Sequence, residues 1–341
     1  MAILRFVSLF VLLAVLMGPH ARAQEEPTPI AVGEWRRAGK IGLNLLQSYY
    51  TENWKGGDKG SVVWAANLDY RAEAQLSTHW NWRNDLNLAF GQTHQQERDA
   101  SGGLYWQEPD KTTDQIKFET LFRYGLHGWD PYFAVRFESQ FLDETDPWDR
   151  GLTFNPLTFN ESIGISRVLV NQADRQLLSR LGFSLRQNSR QVFLAAPPDD
   201  ATERLSSHDG GLELILDYQD KILDDRVEYT SKFTAYKAFF YSAKGDLDDV
   251  SGDDLVAAGL PEDVADYSLV TDLDWENTFV TAITRLINVQ FYLRWSYDKY
   301  DNSVAPKVEN GALTNPGYVD AAIRKAGQLK QTMSIGLAYA F

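Results

Sequence analysis

The chain contains no cysteine. That excludes a disulfide framework, a thiolate metal site and a lipid-modified N-terminal Cys. Beyond residue 17 it has no long hydrophobic run, which excludes a helical membrane protein. Basic residues are in the minority, 33 Lys and Arg against 47 Asp and Glu, giving a net charge of −14. A chain of that sign repels phosphate, so no nucleic-acid partner is expected. Histidine is scarce, at five residues, and few groups are therefore available as a general base near neutral pH. The sequence has no repeat of fixed period and no interdomain linker.

The one apolar run that is present, Phe6 to Met17, follows Arg5 and precedes the small-x-small site Ala21-Arg22-Ala23. This is the layout of a secretory signal peptide over residues 1–23, cleaved before Gln24. Its core is too short for a permanent span. Loss of Arg5 and Arg22 takes the charge from −14 to −16. Residues 24–39 read as a flexible periplasmic lead-in, and 40–341 as one domain.

The dominant pattern in that domain has a period of two. In "SVVWAANLDYRAEAQL", Val62, Trp64, Ala66, Leu68 and Tyr70 share one face, while Asn67, Asp69, Arg71 and Glu73 take the other. Side chains alternate across a strand, so each such segment has one apolar face about as long as a tilted strand needs to cross a bilayer, roughly 9–11 residues. The pattern predicts twelve strands, near 40–51, 60–76, 79–92, 113–126, 131–142, 159–170, 178–191, 208–219, 226–241, 270–285, 288–300 and 328–341. The sixth is short of clean alternation, and "DRQLLSRLG" at the start of the seventh also fits a helix. Connections after even-numbered segments are short, and those after odd-numbered ones are mostly long and polar. Tyr and Trp cluster near the predicted strand ends. Together these features predict an all-β fold, a closed antiparallel transmembrane β-barrel of outer-membrane type with about twelve strands. A β-sandwich also alternates, but it does not predict one-sided loop lengths.

The closing "MSIGLAYAF" places Met333, Ile335, Leu337, Tyr339 and Phe341 on one face. It resembles the C-terminal signal of outer-membrane barrels, in which assembly machinery reads a terminal aromatic preceded by alternating apolar residues. Outer-membrane lipid and the barrel-assembly machinery are therefore the expected partners. The stretch "WRRAGKIGLNLLQSYYTENWKGGDKGSVVWAANLDYRAE" resembles a family of exported Bacteroidota-type proteins catalogued as a domain of unknown function. The resemblance rests on Trp35, the Gly42 to Leu45 strand, the loop from Asn53 to Gly57 and the following strand, with the Trp-rich "HWNWRNDLNLAFG" next. It implies fold and location and no catalytic residue.

The strand phase turns a set of charges inward: Asp69, Arg71, Glu73, Arg83, Asp85, Lys117, Glu119, Arg123, Arg136, Glu138, Arg186, Glu213, Asp217, Glu228, Lys232, Arg294 and Asp298. Signs nearly balance, which fits either a hydrated path for small polar solutes or an interior packed with paired charges. The expected role is a passive channel or narrow porin for such solutes. The alternative is a non-enzymatic barrel with a plugged lumen, serving envelope structure or surface binding. A lipid hydrolase ranks third. Only "SSHDGG" brings Ser206, Ser207, His208 and Asp209 together, and neighbours along a strand point to opposite faces, so His208 and Asp209 would form no relay there. The carboxylates of "AKGDLDDVSGDDL" lack the ligand order of a twelve-residue Ca²⁺ loop. No metal and no cofactor are expected. "DLVAAGLPEDVADYS" predicts a short helix ending near Gly259, with a new turn opening at Pro261. "ENWKGGDKG" reads as a hairpin with an interfacial Trp54, with a binding loop that displays Trp54 as the alternative.

Overall fold

A computed structural model describes residues 29–50, 59–126, 128–146, 148–309, 311–324 and 326–341. The segment read as a signal peptide, the start of the expected lead-in, His127 and most of "ENWKGGDKG", Trp54 included, lie outside the described residues. Twelve long strands form the wall: β1 (Trp35–Ser48), β2 (Ser61–Gln75), β3 (Trp80–Arg98), β4 (Asp110–Tyr124), β5 (Asp130–Ser139), β6 (Leu157–Asn171), β7 (Gln176–Phe193), β8 (Thr202–Ile222), β9 (Val227–Tyr241), β10 (Asp272–Ala282), β11 (Ile287–Tyr297) and β12 (Gln328–Ala340). Each pairs antiparallel with its neighbour in sequence, and β12 returns to β1, so the sheet closes into a barrel. Closure leaves no sheet edge facing outward along most of the wall, the condition for a sheet to survive in hydrocarbon.

The alternation read from the sequence sets which side chains face out. Ile41, Leu43, Phe133, Ile163, Phe183, Leu212, Met333, Ile335, Leu337, Tyr339 and Phe341 are all exposed on the outer face. Apolar residues exposed in this way on many strands suit a wall that meets lipid and not water. The connections 76–79, 172–175, 223–226 and 283–286 are short and share one rim. Leu223, Asp224 and Asp225 take left-handed backbone there, with φ of 54°, 57° and 63°, which lets so few residues reverse the chain. Aromatics gather at this rim. Trp35 and Trp82 meet edge-to-face at 5.1 Å, Trp82 stacks on Phe122 at 5.3 Å, and Trp80 meets Tyr124 at 5.0 Å. Arg167 lies over the Trp129 ring at 5.2 Å.

Three boundaries differ from expectation. β1 begins at Trp35, because residues 35–39 continue the ladder to β2, from Trp35↔Ala74 to Gly39↔Tyr70. The lead-in is shorter for that reason, and Val32 already bridges Gln75. β3 runs on to Arg98 and β8 starts at Thr202, so both strands stand above the apolar band at the long-loop rim.

The long connections at that rim fold into a cap. The acidic stretch forms α1 (Lys244–Asp248), α2 (Gly252–Ala257) and α3 (Val264–Tyr267), and a later loop adds α4 (Pro316–Ala322). As read from the sequence, one helix stops before Gly259, where φ is +83°, and a new turn follows Pro261. Ser251 caps α2 by accepting the Asp254 N–H at 3.2 Å. Leu247, Leu255, Val264, Tyr300 and Val319 share a buried apolar cluster, so the acidic stretch is a folded element with its carboxylates outside. The hydroxyls of Tyr241 and Tyr300 both donate to the Val304 carbonyl.

Candidate functional site: a charged belt across the lumen

The inward phase of the strands carries a stack of layers. At the short-turn rim Arg36 pairs with Glu73 at 3.0 Å, and Asn81 bridges Glu73 to Arg123. Above lies a small apolar layer of Leu121, Tyr132, Ala134 and Leu178, all buried. Tyr132 sits where β6 and β7 each place a glycine: Gly164 faces Gly182, and a Cβ on Gly182 would come within 2.6 Å of the Tyr132 hydroxyl.

The next layer is a continuous belt of ion pairs. Arg180, 1% exposed, binds Glu119 at 3.0 Å and Asp217 at 3.1 Å. Arg83 approaches the same two carboxylates and holds Asp85 at 2.8 Å, and Asp85 also pairs with Arg71 at 2.5 Å. Lys232 stands 3.8 Å from Glu119. Arg136 bonds Glu213 at 2.6 Å and leans toward Glu138. Lys117 on β4 meets Glu276 on β10 at 2.6 Å. Those two strands lie halfway round the ring from each other, so this pair crosses the lumen. Arg294 hydrogen-bonds Asp274 beside it and sits 3.7 Å from Glu276. Buried ions are tolerated only when paired and further hydrogen-bonded, and the pairing here runs between strands far apart in sequence. The belt therefore ties opposite walls together.

Above the belt is a cavity of about 300 Å³, lined by Gln115, Lys117, Glu138, Gln140, Thr158, Arg190, Arg294 and Asp301. The cap contributes Asp301 to its lining. Asn302 reaches into the barrel: its carbonyl accepts from Ser207 and Asn188, and its amide donates to Asp209 at 3.3 Å and to the Ser268 carbonyl at 3.1 Å. Arg186 anchors this level, bonding Asp209 at 2.7 Å and Asp272 at 3.0 Å, with its guanidinium 3.8 Å from the Tyr236 ring centre. Arg150 locks another loop, pairing with Asp146 at 3.0 Å and lying 3.7 Å over Phe193.

Of the residues read as inward-facing, Asp69, Arg71, Glu73, Arg83, Asp85, Lys117, Glu119, Arg123, Arg136, Glu138, Glu213, Asp217, Lys232 and Arg294 fall in these lower layers and the belt. Arg186 is higher. Glu228 shares the phase of Lys232 near the short-turn rim, opposite Lys221. Asp298 lies past the end of β11, in the cap. Sequence reasoning weighed Asp209 only as a relay partner and missed Arg180, Asp272, Asp274 and Glu276. The last three were findable, since "DLDWEN" alternates them with Leu273 and Trp275. His208 and Asp209 point to opposite faces as expected. Asp209 is fully buried inside, and His208 sits outside against Phe240.

Burial, with Asp272 and Asp301 close by, raises the Asp298 carboxyl from 3.8 to about 8. The folded cap therefore holds that proton more tightly than the unfolded chain. Its contribution to stability is full below the unfolded value and is lost as pH rises through about 8. Hydrogen exchange of residues 242–271 should be faster relative to the barrel strands at pH 9 than at pH 6, after correction for intrinsic rates. Asp298→Asn should remove that difference, and an unchanged pH dependence would show that another group controls the cap.

Residues 45–144 match the model of a family described as "Protein of unknown function (DUF3078)". The match covers most of the stretch in which the sequence resembles a domain of unknown function, beginning after Trp35 and Gly42. No curated protein matches. Among solved structures, an outer membrane channel from Pseudomonas putida F1 is similar at 12% identity, covering 94% of this chain and 99% of that one, with a TM-score of 0.37. The NanC porin gives 9% identity, 89% and 98% coverage and a TM-score of 0.31. The beta domain of the Bordetella autotransporter BrkA gives 9% identity, 89% and 97% coverage and a TM-score of 0.30. The barrel itself stands on the strand register given above.

Proposed function

We propose that this is an outer-membrane barrel of channel type, with the short turns in the periplasm and the cap outside, whose axial path is shut at rest. The observation that carries this reading is the Lys117–Glu276 pair, which spans the lumen from β4 to β10 above the Arg180, Glu119 and Asp217 cluster. A small polar solute bearing both charges fits the cavity above, where Lys117, Arg190 and Arg294 alternate with Glu138 and Asp301. Such a solute can exchange its charges for those of the belt without leaving a buried ion unpaired, which is the costly outcome. This reading refines the expectation of a passive channel or narrow porin to a gated one. The buried Arg180 cluster favours a second reading, a barrel whose lumen is a permanent structural plug. Its exported location and its lack of an enzymatic role belong to the same proposal.

Planar-bilayer recording separates the two. The wild type should show low conductance, and Lys117→Ala with Glu276→Ala should raise it several-fold, because both partners go and neither charge is stranded. A double variant that folds and conducts no more than the wild type would leave the plug reading standing.

A further inference from the structure

The Lys117–Glu276 pair splits the lumen evenly. β4 and β10 stand opposite each other in the ring, so β5 to β9 wall one half, and β11, β12, β1, β2 and β3 wall the other. The two halves are filled differently. On the first, inward side chains are packed: Tyr132, Ser162, Arg180, Ser184, Glu213 and Ile215 are each 4% exposed or less. On the second, no inward side chain among the described residues is buried, and the buried inward positions are the glycines Gly42 and Gly91. Along the inward phase of β12, Lys330 and Thr332 are exposed and Ser334 and Ala338 half-buried. Small residues keep this half clear. The Asn44 amide takes the place of a Cβ on Gly336, and the Asn67 amide takes that of a Cβ on Gly42. At each of these levels one side chain occupies the wall where two would otherwise stand.

The charges on that wall are mostly matched. Asp85 holds Arg71, Glu73 holds Arg36, and Asp274 holds Arg294. Lys40 stands opposite Asp69, whose carboxylate accepts from Asn87. Lys330 differs. It stands opposite another cation, Arg294, and has no carboxylate partner among the described residues. Arg294 also lines the cavity above the belt, so Lys330 adds its charge one strand away from the cavity wall. An unmatched cation beside a narrow path with neutral walls raises the local concentration of anions and lowers that of cations. We propose that the half-lumen walled by β11, β12, β1, β2 and β3 is the route that the Lys117–Glu276 gate opens, and that Lys330 makes it selective for small monovalent anions. This rests on the channel reading above and narrows its solutes to those of net negative charge.

The chain has no native cysteine, so a single-cysteine variant reports one position. The test uses the full chain refolded into phosphatidylcholine vesicles, with folding of each variant checked by gel mobility. A small neutral methanethiosulfonate reagent should modify Ser334→Cys and Ala338→Cys many-fold faster than Ser162→Cys and Ser184→Cys, which lie in the packed half. At Ser334→Cys, a sulfonate-bearing reagent should outpace a trimethylammonium-bearing one several-fold more than it does with a small free thiol. Adding Lys330→Gln should remove that excess, and adding Lys330→Arg should keep it. Equal rates in the two halves would overturn the route. A charge ratio at Ser334→Cys equal to that of the free thiol, or an excess that survives Lys330→Gln, would overturn the selectivity assigned to Lys330. The bilayer recording tests the gate, whereas these rates need no current and test the half-lumen and its charge, so either can fail without the other.

Discussion

Replacing Arg180 with Met should cost about 3–5 kcal/mol of unfolding free energy, the range found when one partner of a buried ion pair is removed. Arg180 is almost wholly enclosed and bonds both Glu119 and Asp217. Without it two carboxylates face each other in the lumen, with Arg83 and Lys232 more than 3.5 Å away. Methionine fills the volume, so the loss is electrostatic and not a cavity effect. Adding Glu119→Gln and Asp217→Asn should recover most of the deficit, since neutral amides need no counter-ion. Urea unfolding of the barrel in lipid or detergent, followed by tryptophan fluorescence, measures both steps. A single variant as stable as the wild type would mean that the belt does not tie the walls together.

A second large effect is expected at Gly182. A Cβ there would stand 2.4 Å from the Ile163 carbonyl and 2.6 Å from the Tyr132 hydroxyl. Gly182→Val should therefore force β6 and β7 apart and lift Tyr132 from its seat, costing about 2–4 kcal/mol. Adding Tyr132→Ala removes the ring but leaves the backbone contact, so recovery should be partial. Full recovery would put the whole effect on the ring. No recovery would put it on the strand pair. The thermal shift of gel mobility of the folded barrel reads this order directly.

Much of the architecture was legible because one physical rule, alternation across a strand, acts on every residue of the wall. The twelve strands, the side on which the turns are short and the inward charges all follow from it. Arg180 escaped because β7 does not alternate cleanly. Leu177 and Leu181 lie on the outer phase, but Leu178 is buried inside with Leu121, Tyr132 and Ala134, and a bulge falls between Leu177 and Leu178. An inward leucine beside an outward one looks like helical spacing. The partners within the belt were not legible at all. Lys117 and Glu276 meet because of the barrel's cross-section, a property of how all twelve strands close and not of either segment. The cap was half legible: its helix boundaries are local, whereas the insertion of Asn302 between Ser207, Asn188 and Asp209 depends on three separate strands.

The register of the wall also bears on how it forms. Eleven of the twelve ladders join strands that follow one another along the chain, so each can be added as a hairpin to the last. The ladder of β1 with β12 is different. It brings Gly39 to Phe341, with the phenylalanine ring packed where a Cβ on Gly39 would lie. Loop closure over such a separation is slow and adds nothing until its end. The growing sheet must therefore keep its first edge unsatisfied and shielded through every earlier step. A chain built in this way has one commitment point, at its final contact, and its shortest ladder lies where assembly finishes.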